Sequence, residues 1–180
     1  SFHRECPACP VDSVSWHEAM AFCNTLSKAQ QLRPCATCSG KGRELRCSSN
    51  EPCAGYRLPT EHEWEVAARA GRRQPFSGES IVSCMASDEG ADKVAWYKAN
   101  SDGVTHPVAT KAKNEWGIYD MSGNVFEWTT SAYSSELKSA RGGSWYHNAE
   151  HARVASRVGL APLERLSYVG FRCVRTVGAS

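Results

Sequence analysis

Cysteine is the residue type in this sequence whose spacing could support metal or redox chemistry. Of the nine cysteines, four lie within residues 33–55, at Cys35, Cys38, Cys47 and Cys53. Four thiolates can bind zinc, but zinc sites usually keep the members of each pair close, and Cys47 is separated from Cys53 by a longer gap. Two disulfides, for instance 35–53 and 38–47, are the alternative. We favour disulfides because the spacing is loose, and zinc stays open, since sequence does not define the pairing.

Oxygen and imidazole ligands occur in two further places. Asp120 and Glu127 lie on either side of a Gly-Asn turn, and calcium takes carboxylate oxygens together with carbonyl oxygens that a turn bends inward. The alternative is that Asp120 caps a turn and Glu127 pairs with an arginine of the closing strand. His147 and His151 flank Glu150 at a spacing that could hold a metal on a helix, although no third ligand is evident.

Two amphipathic helices are predicted to carry part of the frame around these groups. Ser15 with Glu18, and Thr60 with Glu63, have the spacing of the capping box that begins a helix. The first helix would bury one apolar face, formed by Ala19, Phe22, Cys23 and Leu26. The second helix begins with polar residues that we interpret as a solvated first turn, Glu61, His62 and Glu63.

Short apolar segments predict the strands. They lie at residues 94–97 and 105–108, and Val169–Val174 alternates between two faces as a closing strand does. Residues 33–55 contain mostly Gly, Ser, Pro and Cys, so we interpret them as an insertion that cross-links or a metal must order. The predicted class is α+β, with two helices packed on short antiparallel strands and much irregular structure.

Composition and charge exclude several classes of protein. A length of 180 residues suits a single domain over residues 1–180, and 41% hydrophobic with 22% charged residues indicates a folded protein. The net charge of +2, without a basic run, does not indicate a nucleic-acid partner. No apolar segment approaches the length of a membrane span. The nine cysteines favour an extracellular or cell-surface location, although no signal peptide is present.

Four motifs carry a family resemblance. They are YRLPTEHEWEVAARAG at 56–71, GIYDMSGNVFEW at 117–128, RGGSW from Arg141 and GFRC from Gly170. In this order they resemble the formylglycine-generating enzyme (sulfatase-modifying factor) family, whose fold is a variant of the C-type lectin fold. The resemblance extends from Val11 to Arg175. Family members usually carry a strand-rich segment before this region, and we expect that segment to be missing.

The resemblance implies metal ligands and a disulfide. Formylglycine formation uses two copper(I)-binding cysteines just after the GGS-aromatic motif, and here these positions hold His147 and Ala152, so copper is not expected. Cys23 and Cys173 match positions that form a disulfide in some members, with two buried free thiols as the alternative. The implied calcium ligands are the side chains of Asp120 and Glu127 and the backbone carbonyls of Gly123 and Val125.

Residues 146–168 combine unlike side chains without a helical or strand period. Ten of them can be reached from an asparagine codon by changing only adenines, whereas intervening residues such as Glu150 and Glu164 cannot. This pattern resembles the variable proteins of diversity-generating retroelements, which display a C-type-lectin-fold surface. The ten residues are Tyr146, His147, Asn148, His151, Val158, Leu160, Leu163, Leu166, Ser167 and Tyr168.

These features predict a non-catalytic ligand-binding domain. Its surface at residues 146–168 would bind a protein or a glycan, and one calcium site would support it. One alternative is a metal-dependent oxidase that uses His147 and His151. Another is an accessory domain of a larger signalling protein.

Overall fold

The computed structural model describes residues 6–50, 52–78 and 89–176. These residues have the predicted α+β architecture, with three α-helices and eight short strands. None of the helices among them has the length and hydropathy of a membrane span. The helices are α1 (Trp16–Ala29), α2 (Glu61–Arg69) and α3 (Glu89–Val94). The strands are β1 (Ala36–Ser39), β2 (Arg46–Ser49), β3 (Tyr56–Arg57), β4 (Phe126–Ala132), β5 (Lys138–Arg141), β6 (Arg157–Leu160), β7 (Val169–Gly170) and β8 (Val174–Arg175).

A four-stranded sheet in the order β6-β5-β4-β7 forms the centre of the molecule. Strand β5 is antiparallel to both β4 and β6, whereas β7 runs parallel to β4, so the sheet is not wholly antiparallel as predicted. Helix α1 packs against this sheet and against β3. The core between them is apolar and includes Trp16, Met20, Leu58, Phe126, Trp128 and Val169.

Both predicted helices begin at their capping boxes. The Ser15 hydroxyl accepts a hydrogen bond from the Glu18 N–H, and the Glu18 carboxylate accepts one from the Ser15 N–H at 2.9 Å. Thr60 and Glu63 form the same pair at the start of α2. Glu63 is exposed as predicted, and it also binds Arg57 through both carboxylate oxygens, at 2.6 and 2.7 Å.

The predicted buried face of α1 is partly wrong. Phe22 is 55% exposed and contacts only the edge of the neighbouring Phe171 ring, at 5.4 Å between centroids. Two overlapping sets of apolar residues each have the spacing of one helix face. The elements that pack against the helix decide which of the two faces is buried. The buried residues are Trp16, His17, Ala19, Met20, Cys23 and Ser27.

The strands predicted at residues 94–97 and 105–108 do not form. Helix α3 extends to Val94, and Trp96 makes only an isolated bridge to Gly123. The backbone of His106 is held instead by the side chain of Asn124, which accepts from the His106 N–H and donates to its carbonyl. The predicted closing strand is divided into β7 and β8, because β7 pairs with β4 whereas β8 pairs with β3.

The cysteine-rich segment is a hairpin of β1 and β2 closed by two disulfides. Cys35 is bonded to Cys53 and Cys38 to Cys47, which is the favoured pairing and leaves these thiols unavailable to zinc. The hairpin docks on α1 through Asn24, whose side chain donates to the carbonyl of residue 36 at 2.8 Å and accepts from its N–H at 3.1 Å. The insertion therefore contributes to the core rather than lying apart from it.

The remaining cysteines form two pairs in the described part of the chain. Cys6 and Cys9 are bonded to each other, and Cys84 lies outside the described residues. Cys23 and Cys173 are not bonded, but their Sγ atoms are 2.8 Å apart. The hydrogen bond between these thiols raises the pKa of Cys23 and lowers the pKa of Cys173. The disulfide implied by the resemblance stays a prediction.

A buried carboxylate connects the sheet to α2 and to the segment after β7. Glu127 of β4 accepts hydrogen bonds from Trp64 Nε1 at 2.7 Å and from Arg172 Nε and Nη2 at 2.6 and 2.7 Å. Arg172 also donates to the carbonyls of Tyr119 and Asp120 at 3.1 and 3.3 Å. One ion pair therefore holds three segments that are far apart in the sequence.

A second buried arginine connects the sheet to α2. Arg141 of β5 donates to Glu61 at 2.9 Å, to Glu65 at 2.6 Å and to the carbonyl of Val154 at 2.7 Å. Arg157 binds the other oxygen of Glu61 at 2.8 Å. Glu61 is therefore paired rather than solvated as predicted, and the pairing holds the backbone of residues 153–157 against the sheet.

We expect the substitution Glu127→Gln to lower the free energy of unfolding by about 3 kcal/mol, because it leaves the buried Arg172 charge without its partner. Urea denaturation followed by tryptophan fluorescence, with chelator present, measures this value. The matched control is Arg72→Gln, which breaks an exposed pair with Glu115 and should cost less than about 1 kcal/mol. Equal losses in the two variants would contradict the role of the Glu127 pair.

We expect Cys6, Cys9, Cys35, Cys38, Cys47 and Cys53 to resist alkylation in denaturant without reductant, because each is in a disulfide. Under the same conditions, labelling of Cys23 and Cys173 would show the two free thiols of the structure, whereas protection of both would show the disulfide that the resemblance implies. Peptide mass spectrometry identifies the labelled residues. Labelling of all four cysteines in residues 33–55 would contradict the cross-linked hairpin.

Candidate ligand-binding surface

None of the ten predicted ligand-binding residues is buried. Tyr146 is 56% exposed, Asn148 and Leu163 are also exposed, and the other seven are half-buried. Every buried residue between 146 and 168 belongs to the intervening set, namely Ala149, Ala152 and Val154. The fully buried side chains of the segment are therefore different residues from those predicted to vary.

A glycine pair and a short 3₁₀ turn position the first part of this surface. Gly143 has a positive φ of 76°, and a Cβ at this position would lie 2.7 Å from the backbone of Ala152, so only glycine fits. The turn Ala149–Ala152 buries both of its alanines in an apolar cluster with Tyr97. The Lys98 N–H donates to the carbonyl of residue 147 at 2.9 Å, which joins the turn to the irregular region before it.

Four of the ten residues form one aromatic cluster. The rings of Tyr146 and Tyr168 are stacked, with centroids 5.5 Å apart and planes 10° apart. His147 meets both tyrosine rings edge-on, at 5.3 and 5.0 Å, and the ring of His151 lies 5.1 Å from it. Tyr146 and Tyr168 are separated by more than twenty residues in the sequence, so the tertiary structure creates this cluster.

His147 is the inner member of the aromatic cluster. Its Nδ1 is 2.7 Å from the Ser144 hydroxyl, and its ring packs edge-on against the buried Phe126. Burial lowers the pKa of His147 to about 4, and the charges of His151 and Lys98 contribute in the same direction. The imidazole is therefore neutral at pH 7 and serves as a packing surface for the two tyrosines.

The predicted oxidase alternative needs a metal at His147 and His151. Among the described residues, no group of three or more His, Cys, Asp or Glu side chains is arranged to hold a metal ion. Glu150, the neighbouring carboxylate, has an oxygen 3.7 Å from His151 Nδ1. Ala152, which takes the place of the second family cysteine, is only 1% exposed and offers no ligand atom.

The other predicted residues lie on and after β6. Val158, Leu160 and Leu166 are half-buried and pack against the edge of the core, as Tyr168 does. The carbonyl of Ser167 accepts a hydrogen bond from the Trp145 indole at 3.1 Å. The surface thus has an aromatic part and a strand part, with Tyr168 contacting both the tyrosine stack and the core.

Trp145 is a contributor that the sequence pattern did not single out as part of the surface. It is half-buried and meets the Tyr146 ring edge-on at 5.6 Å. In the sequence it appears only as the last residue of the RGGSW motif. No codon or periodicity signal marks this tryptophan, so its contact with Tyr146 could be found only from the structure.

The predicted calcium ligands lie beside a cleft of about 550 Å³. Asp120, Val125 and Glu127 line this cleft together with Arg172. Asp120 has a left-handed backbone with φ 57°, its carboxylate accepts from the residue-109 N–H at 2.7 Å, and burial raises its pKa. Two carboxylates near turn carbonyls suit calcium.

Arg172 is the group that competes with a cation at this cleft. It binds both oxygens of Glu127. This ion pair is the predicted alternative to calcium, in which Glu127 pairs with an arginine near the end of the chain. A calcium ion would share Glu127 with Arg172 or displace it. The fourth predicted ligand, Gly123, does not line the cleft and packs against the backbone of Trp96. The calcium ligand set therefore stays a prediction.

Two proteins are similar in sequence to most of this chain. Chaperone protein LppX of Paenibacillus barcinonensis is 30% identical over 181 residues, covering 81% of this chain and 62% of that protein. Inactive C-alpha-formylglycine-generating enzyme 2 of Bos taurus is 30% identical over 184 residues, covering 94% of this chain and 51% of that protein. The chain thus spans about half to three fifths of the length of these relatives.

A solved structure shares the fold. Treponema denticola variable protein 1 superposes with a TM-score of 0.81 at 31% identity, covering 92% of this chain and 70% of that chain. The model of the sulfatase-modifying factor enzyme 1-like domain matches residues 2–177. The chain therefore belongs to the formylglycine-generating enzyme (sulfatase-modifying factor) family and has the fold of that family.

Proposed function

We propose that this domain is a non-catalytic ligand-binding module whose recognition surface is formed by residues 146–168. The observation that carries the proposal is the separation of roles within this segment. All ten predicted positions reach the surface, whereas the buried residues are all in the intervening set. Side chains that do not support the core can change without loss of the fold.

The comparisons support a binding role in two ways. One similar structure carries the name variable protein, and one relative carries the name inactive formylglycine-generating enzyme. In this chain the two positions that bind copper(I) in the catalytic members are His147 and Ala152. Without the two thiolates, the copper-dependent oxidation has no ligand pair at this place.

The chemistry of the surface indicates how it would bind. Tyr146 and Tyr168 offer a stacked aromatic pair at the surface, and tyrosine supplies a large contact area at a low entropic cost. The frame behind them is rigid, because Arg141 holds the backbone of Val154 and Gly143 packs on Ala152. A rigid frame lowers the cost of ordering the surface on binding.

We expect a library in which the ten positions carry random adenine-reachable residues to remain largely folded. The physical reason is that these side chains contribute little to the buried core. Protease resistance of yeast-displayed variants, read by sequencing, measures the folded fraction. Individual changes at the ten positions should cost less than about 1 kcal/mol on average.

The control is a second library that randomises buried frame residues of the same segment and its flank, Arg141, Ala149, Ala152, Val154 and Val169. Most of its members should be cleaved, because overpacking or unpaired burial typically costs about 1–3 kcal/mol for each change. Comparable survival of the two libraries would contradict the division between a variable surface and a fixed frame.

We also propose a calcium ion bound by Asp120 and Glu127, supported by two carboxylates at one cleft and by the raised pKa of Asp120. Millimolar calcium should raise the melting temperature above its value in chelator, and about 1 kcal/mol of binding would give about 2–4 °C. Differential scanning fluorimetry measures the shift. Asp120→Asn should abolish it, and magnesium serves as the ionic-strength control. A melting temperature that ignores both chelator and calcium would refute the site.

A further inference from the structure

Strand β6 lies at one edge of the four-stranded sheet, inside the proposed recognition surface. Its four residues pair with β5 from Arg157↔Arg141 to Leu160↔Lys138. In the part of the chain that the structure describes, no strand pairs with its other side. Alternate backbone N–H and C=O groups of an edge strand point away from the sheet and are free to pair with another chain.

Apart from its short length, the edge of β6 lacks the usual protection against such pairing. Native proteins guard edges with charged side chains or proline. Arg157 is the one charged residue of this strand. Its guanidinium donates to Glu61 at 2.8 Å and lies over the ring of Tyr133 at 4.8 Å, so it is held by residues of this chain. The other three residues are Val158, Gly159 and Leu160, which carry no charge.

Contacts on the faces of β6 leave its edge accessible. A Cβ at Gly159 would lie 2.3 Å from the Tyr133 ring, so that ring covers one face of the strand. Val158 and Leu160 project from the other face and pack partly against the core. Both belong to the ten predicted positions. They are two residues apart, which is the spacing of side chains on one face of a strand.

The side chains of the surface favour a protein partner over a glycan. Six of the ten residues are apolar or aromatic, and none is Asp, Glu, Lys or Arg. Centres of protein interfaces are enriched in tyrosine and depleted in charge. A glycan offers many hydroxyl groups, and this set has no carboxylate or guanidinium to bind them, but only amide, hydroxyl and imidazole groups.

We infer that the partner is a protein and that it contributes an extended segment which pairs with β6 as an additional strand. The inference rests on the proposed function and names the mode of recognition. Main-chain hydrogen bonds supply affinity in strand addition, whereas side chains supply specificity. Val158 and Leu160 could then change from one variant to the next while the backbone contact stayed constant.

The test begins with a phage-displayed library of random linear peptides selected on the intact domain. We expect selected peptides to slow amide hydrogen exchange within residues 157–160, at alternate positions of the strand. N-methylation is then placed either at the odd or at the even positions of the peptide. We expect one of these two sets to weaken binding at least tenfold and the other to have little effect, because only every second N–H faces β6. Isothermal titration calorimetry measures the affinities.

The outcomes separate this inference from the proposed function. Peptides that lose affinity with Tyr146→Ala or Tyr168→Ala but leave residues 157–160 unprotected would overturn strand addition and keep the recognition surface. Peptides insensitive to both tyrosine substitutions and to changes at Leu163 would count against the proposed surface itself. Failure to select any linear peptide, or binding only on a glycan array, would also overturn the inference.

Discussion

The structure depends most on the buried pairing of Glu127 with Arg172 and Trp64. The carboxylate lies on the central strand β4, the indole on α2 and the guanidinium after β7. Removing a charge from water is costly, so the pair is stable only when all three groups are present in the correct geometry. This requirement brings α2, the sheet and the turn at residues 119–120 into one arrangement, and the sheet then carries the surface from Tyr146 onwards.

The fully buried residues behind the proposed recognition surface include none of the ten predicted positions. Arg141 fixes the backbone near Val154, Gly143 allows Ala152 to approach, and the 3₁₀ turn buries two alanines. Two disulfides close the hairpin that docks on α1. Ion pairs, glycines and small buried residues make the frame rigid. The exposed residues are therefore not needed for its rigidity. This division of roles is what the proposed binding surface requires.

Two kinds of contact are available to a partner, and they differ in how they respond to sequence change. The stacked tyrosines and His147 offer apolar area that a single substitution alters. The edge of β6 offers backbone groups that side-chain substitution leaves in place. A surface with both can change its specificity while keeping part of its affinity.

The sequence by itself determined the features that depend on neighbouring residues. Capping boxes placed the starts of α1 and α2, because a cap involves only residues three apart. Family motifs indicated the fold, and none of the ten residues predicted for the surface is buried. Only the tertiary structure decided which face of α1 is buried, why residues 105–108 are held by Asn124 rather than by a strand, and that Arg172 engages Glu127. These outcomes depend on groups distant in the sequence, whose packing and charge pairing outweigh local preference.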